Sequence, residues 1–180
     1  MNTIVVEVWG NLACFTRPET KVERFSYPVI TPSAARGILD AIYAKPIEFS
    51  WRIKQIDVLN PISYIALRRN EVKDKISINA VYKAMNGGEP PLILCDTTRD
   101  MSGSDQVGRT QRQTMALKNV RYRIHAYISP RPGFEKRITA LYEQAQRRIE
   151  TGKCFYQPYL GCREFAVYFA PADMSTQPIN

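Results

Sequence analysis

An α+β fold, with two helices packed on one face of a sheet, is what this 180-residue sequence predicts. Three observations carry the prediction. Segments of strict period-two alternation recur from one end of the sequence to the other. Two stretches have helical apolar spacing, each with a matching stop signal. Together they run in the order β-α-β…β-α-β, with further strands inserted.

Residues 3–9 (TIVVEVW) alternate and are β-branched, which makes them the first strand. A loop of about twenty residues, holding Pro18 and Pro28, follows. The first helix is well signalled: Thr31 can cap it, Pro32 suits its first turn, and Ala35, Ile38, Leu39 and Ile42 form one apolar stripe before Pro46 stops it. Residues 47–59 (IEFSWRIKQIDVL) alternate again, and 62–68 extend or pair with that strand. From 70 to 90 the pattern fades into a polar insertion ending at Gly87-Gly88-Glu89-Pro90, expected to be a hairpin or a mobile loop.

Residues 91–97 (PLILCDT) return as a strand, and 100–113 read as a basic loop that is mobile until something anionic orders it. In the strand expected at 119–129, Val120, Tyr122, Ile124, Ala126 and Ile128 share one face. Arg121, Arg123, His125 and Tyr127 share the other. A second helix at 134–150 closes at Gly152, and 164–170 (EFAVYFA) form the last strand. This order fits a ferredoxin-like sandwich whose helices leave the second sheet face open. One domain spanning 1–180 is expected.

The sequence carries a formal net charge of +8, with ten tyrosines and a single histidine, His125. Such a charge favours a polyanionic partner, although an anionic membrane surface would satisfy it equally. No window approaches the roughly 20 apolar residues of a spanning helix. The N-terminus is too short and too polar for a signal peptide. Cys14, Cys95, Cys154 and Cys162 form no C-x-x-C pair, so reduced, mostly buried thiols in a cytoplasmic protein are expected, with no metal site.

Residues 101–150 hold ten Lys or Arg against four acids, with aromatic residues interleaved. Cations hold phosphates and rings stack on bases, so RNA is the favoured partner over a merely solvated basic face. His125 is either structural or a proton carrier for a ribose 2′-hydroxyl. Tyr43 is either a packed helix-end residue or a phenol that orients a phosphate or a 2′-hydroxyl. Gly161 suits a tight turn or a close backbone approach. The sequence holds no P-loop, no dinucleotide fingerprint and no G-x-S-x-G.

Residues 13–46 (ACFTRPETKVERFSYPVITPSAARGILDAIYAKP), LNPI at 59–62, ALRRNEV at 66–72 and LGCREF at 160–165 resemble the CRISPR-associated Cas family five, subtype d. This resemblance implies a RAMP-type ferredoxin-like core with inserted hairpins. It also implies metal-independent endoribonuclease activity on CRISPR repeat RNA, with no cofactor. The 2′-hydroxyl would attack its own phosphate, leaving a 2′,3′-cyclic phosphate and a 5′-hydroxyl. The protein would then keep the 5′ handle as a subunit of the type I-C interference complex, being a monomer outside it. The alternatives are a non-catalytic subunit that clamps the 5′ handle and a generic RNA-binding module.

Within Ile42-Tyr43-Ala44-Lys45-Pro46 the resemblance assigns Tyr43 to the active site, and on the later strand it assigns His125. No lysine adjoins that histidine, so Lys118 or Arg123 is expected to steady the phosphorane, and many family members carry histidine where this sequence has Tyr127. Arg36, Lys45, Arg109, Arg112, Arg121, Tyr127 and Arg163 are expected to hold the RNA. Members continue past the segment matching 160–170 with further strands, an extension that is absent from a sequence ending at Asn180.

Overall fold

The computed structural model describes residues 3–20, 22–72, 75–92 and 109–179; of Arg109 it describes the backbone alone. Residues 93–97 of the strand expected at 91–97 and residues 100–108 of the loop expected at 100–113 lie outside the described residues, while 109–113, expected in that loop, are strand. The chain forms two compact units, one of residues 1–67 with 114–180 and one of residues 68–113.

Strands β1 (Ile4–Ala13), β2 (Arg24–Phe25), β3 (Phe49–Val58), β4 (Tyr64–Val72), β5 (Arg109–Pro130) and β6 (Tyr168–Pro171) make one six-stranded sheet. Helices α1 (Pro32–Ile42), α2 (Ile78–Met85) and α3 (Ile138–Glu150), the last preceded by a 3-10 turn at Glu135–Arg137, are the other elements among the described residues. The 22-residue β5 is the spine. It pairs antiparallel with β1 and β3 and parallel with the short β2, and β4 also pairs with it; β6 lies antiparallel on the far side of β1.

In the larger unit the core face of the sheet carries Val6, Val8, Tyr122, Ile124, Ala126, Ile128 and Trp51, all buried. Helix α1 closes over it with Ala35, Ile38, Leu39 and Ile42, and α3 with Leu141, Tyr142, Ala145 and Ile149. Thr31 caps α1 through its hydroxyl, which accepts from the Ala34 N–H at 3.2 Å, and Pro32 stands in the first turn. The Tyr142 hydroxyl accepts the Ile128 N–H at 3.0 Å, tying α3 to the spine.

The opposite sheet face departs from expectation. It is not left open: Glu7, Asp57 and Arg123 on it are 4%, 8% and 2% exposed. The segment after β6 crosses it as a strap. Arg123 donates to the carbonyls of Asp173 and Thr176, and the Ile179 N–H donates to the Val58 carbonyl at 2.9 Å.

In the smaller unit, α2 stands where a hairpin or mobile loop was expected. Ser77 caps it by accepting the Ala80 N–H at 3.1 Å. Ile78, Val81, Tyr82 and Met85 recur on it at helical spacing but stay exposed, so the helix carries its sequence signal without a buried face.

Candidate nucleic-acid interface and catalytic groups

Strand register gathers a polar cluster on the strap-covered face. Antiparallel pairing sets Glu7 and Asp57 opposite Arg123, and Val5 and Gln55 opposite His125. Residues paired this way point to the same side of the sheet. The Gln55 amide donates to Asp57 Oδ1 at 2.6 Å. His125 Nε2 lies 2.9 Å from Asp57 Oδ2, and the Arg123 guanidinium lies 3.6 Å from the same oxygen.

Burial opposes ionisation of Asp57. Hydrogen bonds from Gln55 and His125, with the charges of His125 and Arg123, outweigh burial and hold its carboxyl below the usual carboxylate range. A carboxylate only accepts, so in the neutral imidazole Nε2 carries the proton and Nδ1 is left as the base. A β-bulge between Ile53 and Gln55 shifts the register and brings Gln55 and Asp57 onto this face together.

The expected site residues do not converge on one point. His125 is 16% exposed in its side chain and sits in the cluster. Arg123 is in it too, but its guanidinium faces Asp57 and the two strap carbonyls rather than solvent. Lys118 is exposed, yet seven strand residues, about 23 Å at the usual rise, separate it from His125. It therefore cannot share a phosphate with that imidazole.

Tyr43 lies on the helix side of the sheet. It ends α1 as its C-cap and is buried, its ring 5.4 Å from that of Phe49. Its hydroxyl donates to Gln144 Oε1 at 3.3 Å, and the Arg148 guanidinium stands 5.6 Å from its ring centre. Burial first, then the Glu48 charge, raises the pKa of the phenol against the pull of Arg148 and Arg137, so it stays protonated at neutral pH. Tyr43 and His125 thus lie on opposite faces of the sheet.

Among the expected RNA contacts, Lys45 is tied to Glu48 at 3.0 Å and Arg36 to Asp40 at 3.6 Å. Arg121 is tied to the buried Glu7 carboxylate at 2.5 Å. Tyr127 is half-buried on the His125 face, paired across strands with exposed Arg52. Arg163 is exposed beyond Gly161, and Arg112 is half-buried on β5 in the smaller unit. Gly161 has φ +84°, and a Cβ there would stand 2.0 Å from the Cys14 carbonyl oxygen, so close backbone approach is its role.

Cys14 and Cys162 are buried, and a hydrogen bond with the Cys14 thiol, then burial, pushes the Cys162 thiol well up; Cys95 lies outside the described residues. No helix among the described residues is long and apolar enough to cross a membrane.

Sequence reasoning missed Asp57, Gln144 and Arg148. Asp57 sits in an alternating strand with no local mark of its burial. Gln144 and Arg148 lie on α3, about a hundred residues from the tyrosine they touch.

Residues 3–178 match the family model described as CRISPR-associated protein (Cas5), subtype Cas5d. The chain is 44% identical over 174 residues to the CRISPR pre-crRNA endoribonuclease Cas5d of Mannheimia succiniciproducens, covering 96% of this chain and 73% of that protein. It is 41% identical to the protein of the same name from Thermus thermophilus, covering 96% of this chain and 66% of that one. A crystal structure of a CRISPR-associated protein superposes with a TM-score of 0.59 at 20% identity, over 97% of this chain and 68% of that one.

Proposed function

The chain belongs to the CRISPR-associated Cas5d family, and from that premise we propose that it is a metal-independent endoribonuclease that cleaves CRISPR repeat RNA. It then retains the 5′ handle within the type I-C interference complex. The fold supports this reading as a ferredoxin-like RAMP core. Strands β6, β1, β5 and β3 stand in that order with every neighbouring pair antiparallel, while α1 and α3 are the crossovers.

The observation that carries the catalytic reading is the His125–Asp57 pair. Asp57 fixes the imidazole tautomer and stabilises the imidazolium that forms. Nδ1 takes the 2′-hydroxyl proton, the 2′-oxygen bonds to phosphorus, and the bond from phosphorus to the 5′-oxygen breaks. The products are a 2′,3′-cyclic phosphate and a 5′-hydroxyl, the leaving oxygen taking its proton from the Tyr127 hydroxyl or from water. Arg52, opposite Tyr127, supplies the positive charge first expected of Lys118 or Arg123.

The test is a gel assay of end-labelled repeat RNA in excess chelator, with a parallel substrate carrying 2′-deoxy at the cut site. One cut, abolished by that single substitution and by His125→Ala, is the expected result. A cut that survives His125→Ala would sink the assignment. A second reading, the non-catalytic handle clamp, is favoured by the inward-turned Arg123 and the separation of Tyr43 from His125. It expects salt-sensitive binding of the repeat without any cut.

A further inference from the structure

At the C-terminal end of α3 lies a recess of about 500 Å³ lined by Gln144, Arg147, Arg148, Thr151, Lys153 and Cys154. Its lining carries three cations and no carboxylate. We infer that this recess is a binding site for the RNA backbone, holding phosphates beside Tyr43 on the side of the sheet away from His125. The inference rests on the RNA reading above and deepens it.

Basic residues in a last helical turn also complement the helix dipole, which would account for Arg147 and Arg148 without any ligand. Two features exceed that account. Arg148 reaches away from its own helix: it donates to the Ile42 carbonyl of α1 at 3.1 Å and covers the Tyr43 ring. That holds the guanidinium at the wall of the recess with further N–H groups to offer. Lys153 lies beyond the helix, past Gly152 with φ +65°, and adds a third positive charge where the dipole no longer calls for one.

The polar groups are also ordered for an anion. Gln144 spends its carbonyl oxygen on the Tyr43 hydroxyl, which leaves its amide as a donor. Thr151 turns its hydroxyl proton to the Arg147 carbonyl at 2.7 Å, masking one helix-end oxygen that would repel a phosphate. With two arginines at the helix end, its partial negative charge of about one half is more than offset. Tyr43, one side chain behind the recess, keeps Gln144 and Arg148 in place and is a positioning residue for the site.

The experiment measures affinity for fluorescent single-stranded repeat RNA at several salt concentrations, using the full chain. The variants are Arg147→Ala with Lys153→Ala, both exposed and outside the core, and Lys136→Ala as a control cation elsewhere. Loss of two phosphate contacts should lower the slope of log K against log salt by about 1.4, with the control unchanged. A double variant with the wild-type slope, or one no different from Lys136→Ala, overturns the inference while leaving the RNA reading standing. Wild-type protein that fails to retain the RNA removes both. Matched melting temperatures separate a binding defect from a folding one.

Discussion

Replacing Asp57 by Asn tests the polar cluster most directly, because Asp57 joins His125, the proposed proton carrier, to a buried cation. At 3.6 Å and an effective dielectric near 20, the Asp57–Arg123 attraction is about 5 kcal/mol before desolvation. Removing one member of a buried pair costs about 3–5 kcal/mol, since the other charge stays buried. Asparagine keeps the shape and one acceptor oxygen for the His125 N–H, which returns about 1 kcal/mol. A loss of about 2–4 kcal/mol is therefore expected from Asp57→Asn.

Guanidinium unfolding at pH 7 should show this as a lower midpoint with an unchanged slope. The variant that also carries Arg123→Met should be more stable than the sum of the two single changes predicts. Single-turnover cleavage should fall by about 10² or more, the scale of lost general acid–base catalysis, while RNA affinity holds. An Asp57→Asn protein within about 0.5 kcal/mol of wild type, or strictly additive single changes, would refute the reasoning.

Acid titration should expose the same group. Its folded pKa lies below its unfolded value near 3.9, so its stabilisation is fully present above that value and is lost as pH falls through the folded pKa. Wild-type melting temperature should drop more steeply than that of Asp57→Asn below about pH 4. Gly161→Ala forces a side chain into a left-handed backbone and onto the Cys14 carbonyl, and should cost about 3–5 kcal/mol in denaturant unfolding. Tyr43→Phe loses one long hydrogen bond to Gln144, so a stability loss of about 1 kcal/mol or less is expected, with the Trp51 indole still donating to the residue 43 carbonyl. Its effect on RNA should appear as weakened binding rather than as a loss of the cleavage step.

What was legible in the sequence was local. The Thr31 cap, Pro32 and the α1 stripe are set by neighbours within four residues, and they formed as expected. The two faces of β5 from 120 to 128 followed from alternation alone. Upstream of 120 the alternation fails, since Ala116 and Leu117 are buried in succession and Asn119 has φ +52°, so the sequence marks only part of the 22-residue strand. Helix α2 was legible and passed over: Ser77 can cap it, and Ile78, Val81, Tyr82 and Met85 stand at helical spacing within an otherwise polar stretch. In the candidate site, His125 was conspicuous as the single histidine, whereas the burial of Asp57 depends on a strap far downstream. The separation of Tyr43 from His125 depends on which side of the sheet α1 docks.

The strap also dictates an order of events during synthesis. The two carbonyls that enclose the Arg123 guanidinium belong to residues made 50 and 53 positions later, a lag of about 3–10 s at ordinary translation rates. Asp57 and His125 depend on no part of the strap, since the pairing of β3 with β5 alone sets them beside the cation. The carboxylate thus serves as an early counter-ion, and the imidazole is oriented before the face above it closes.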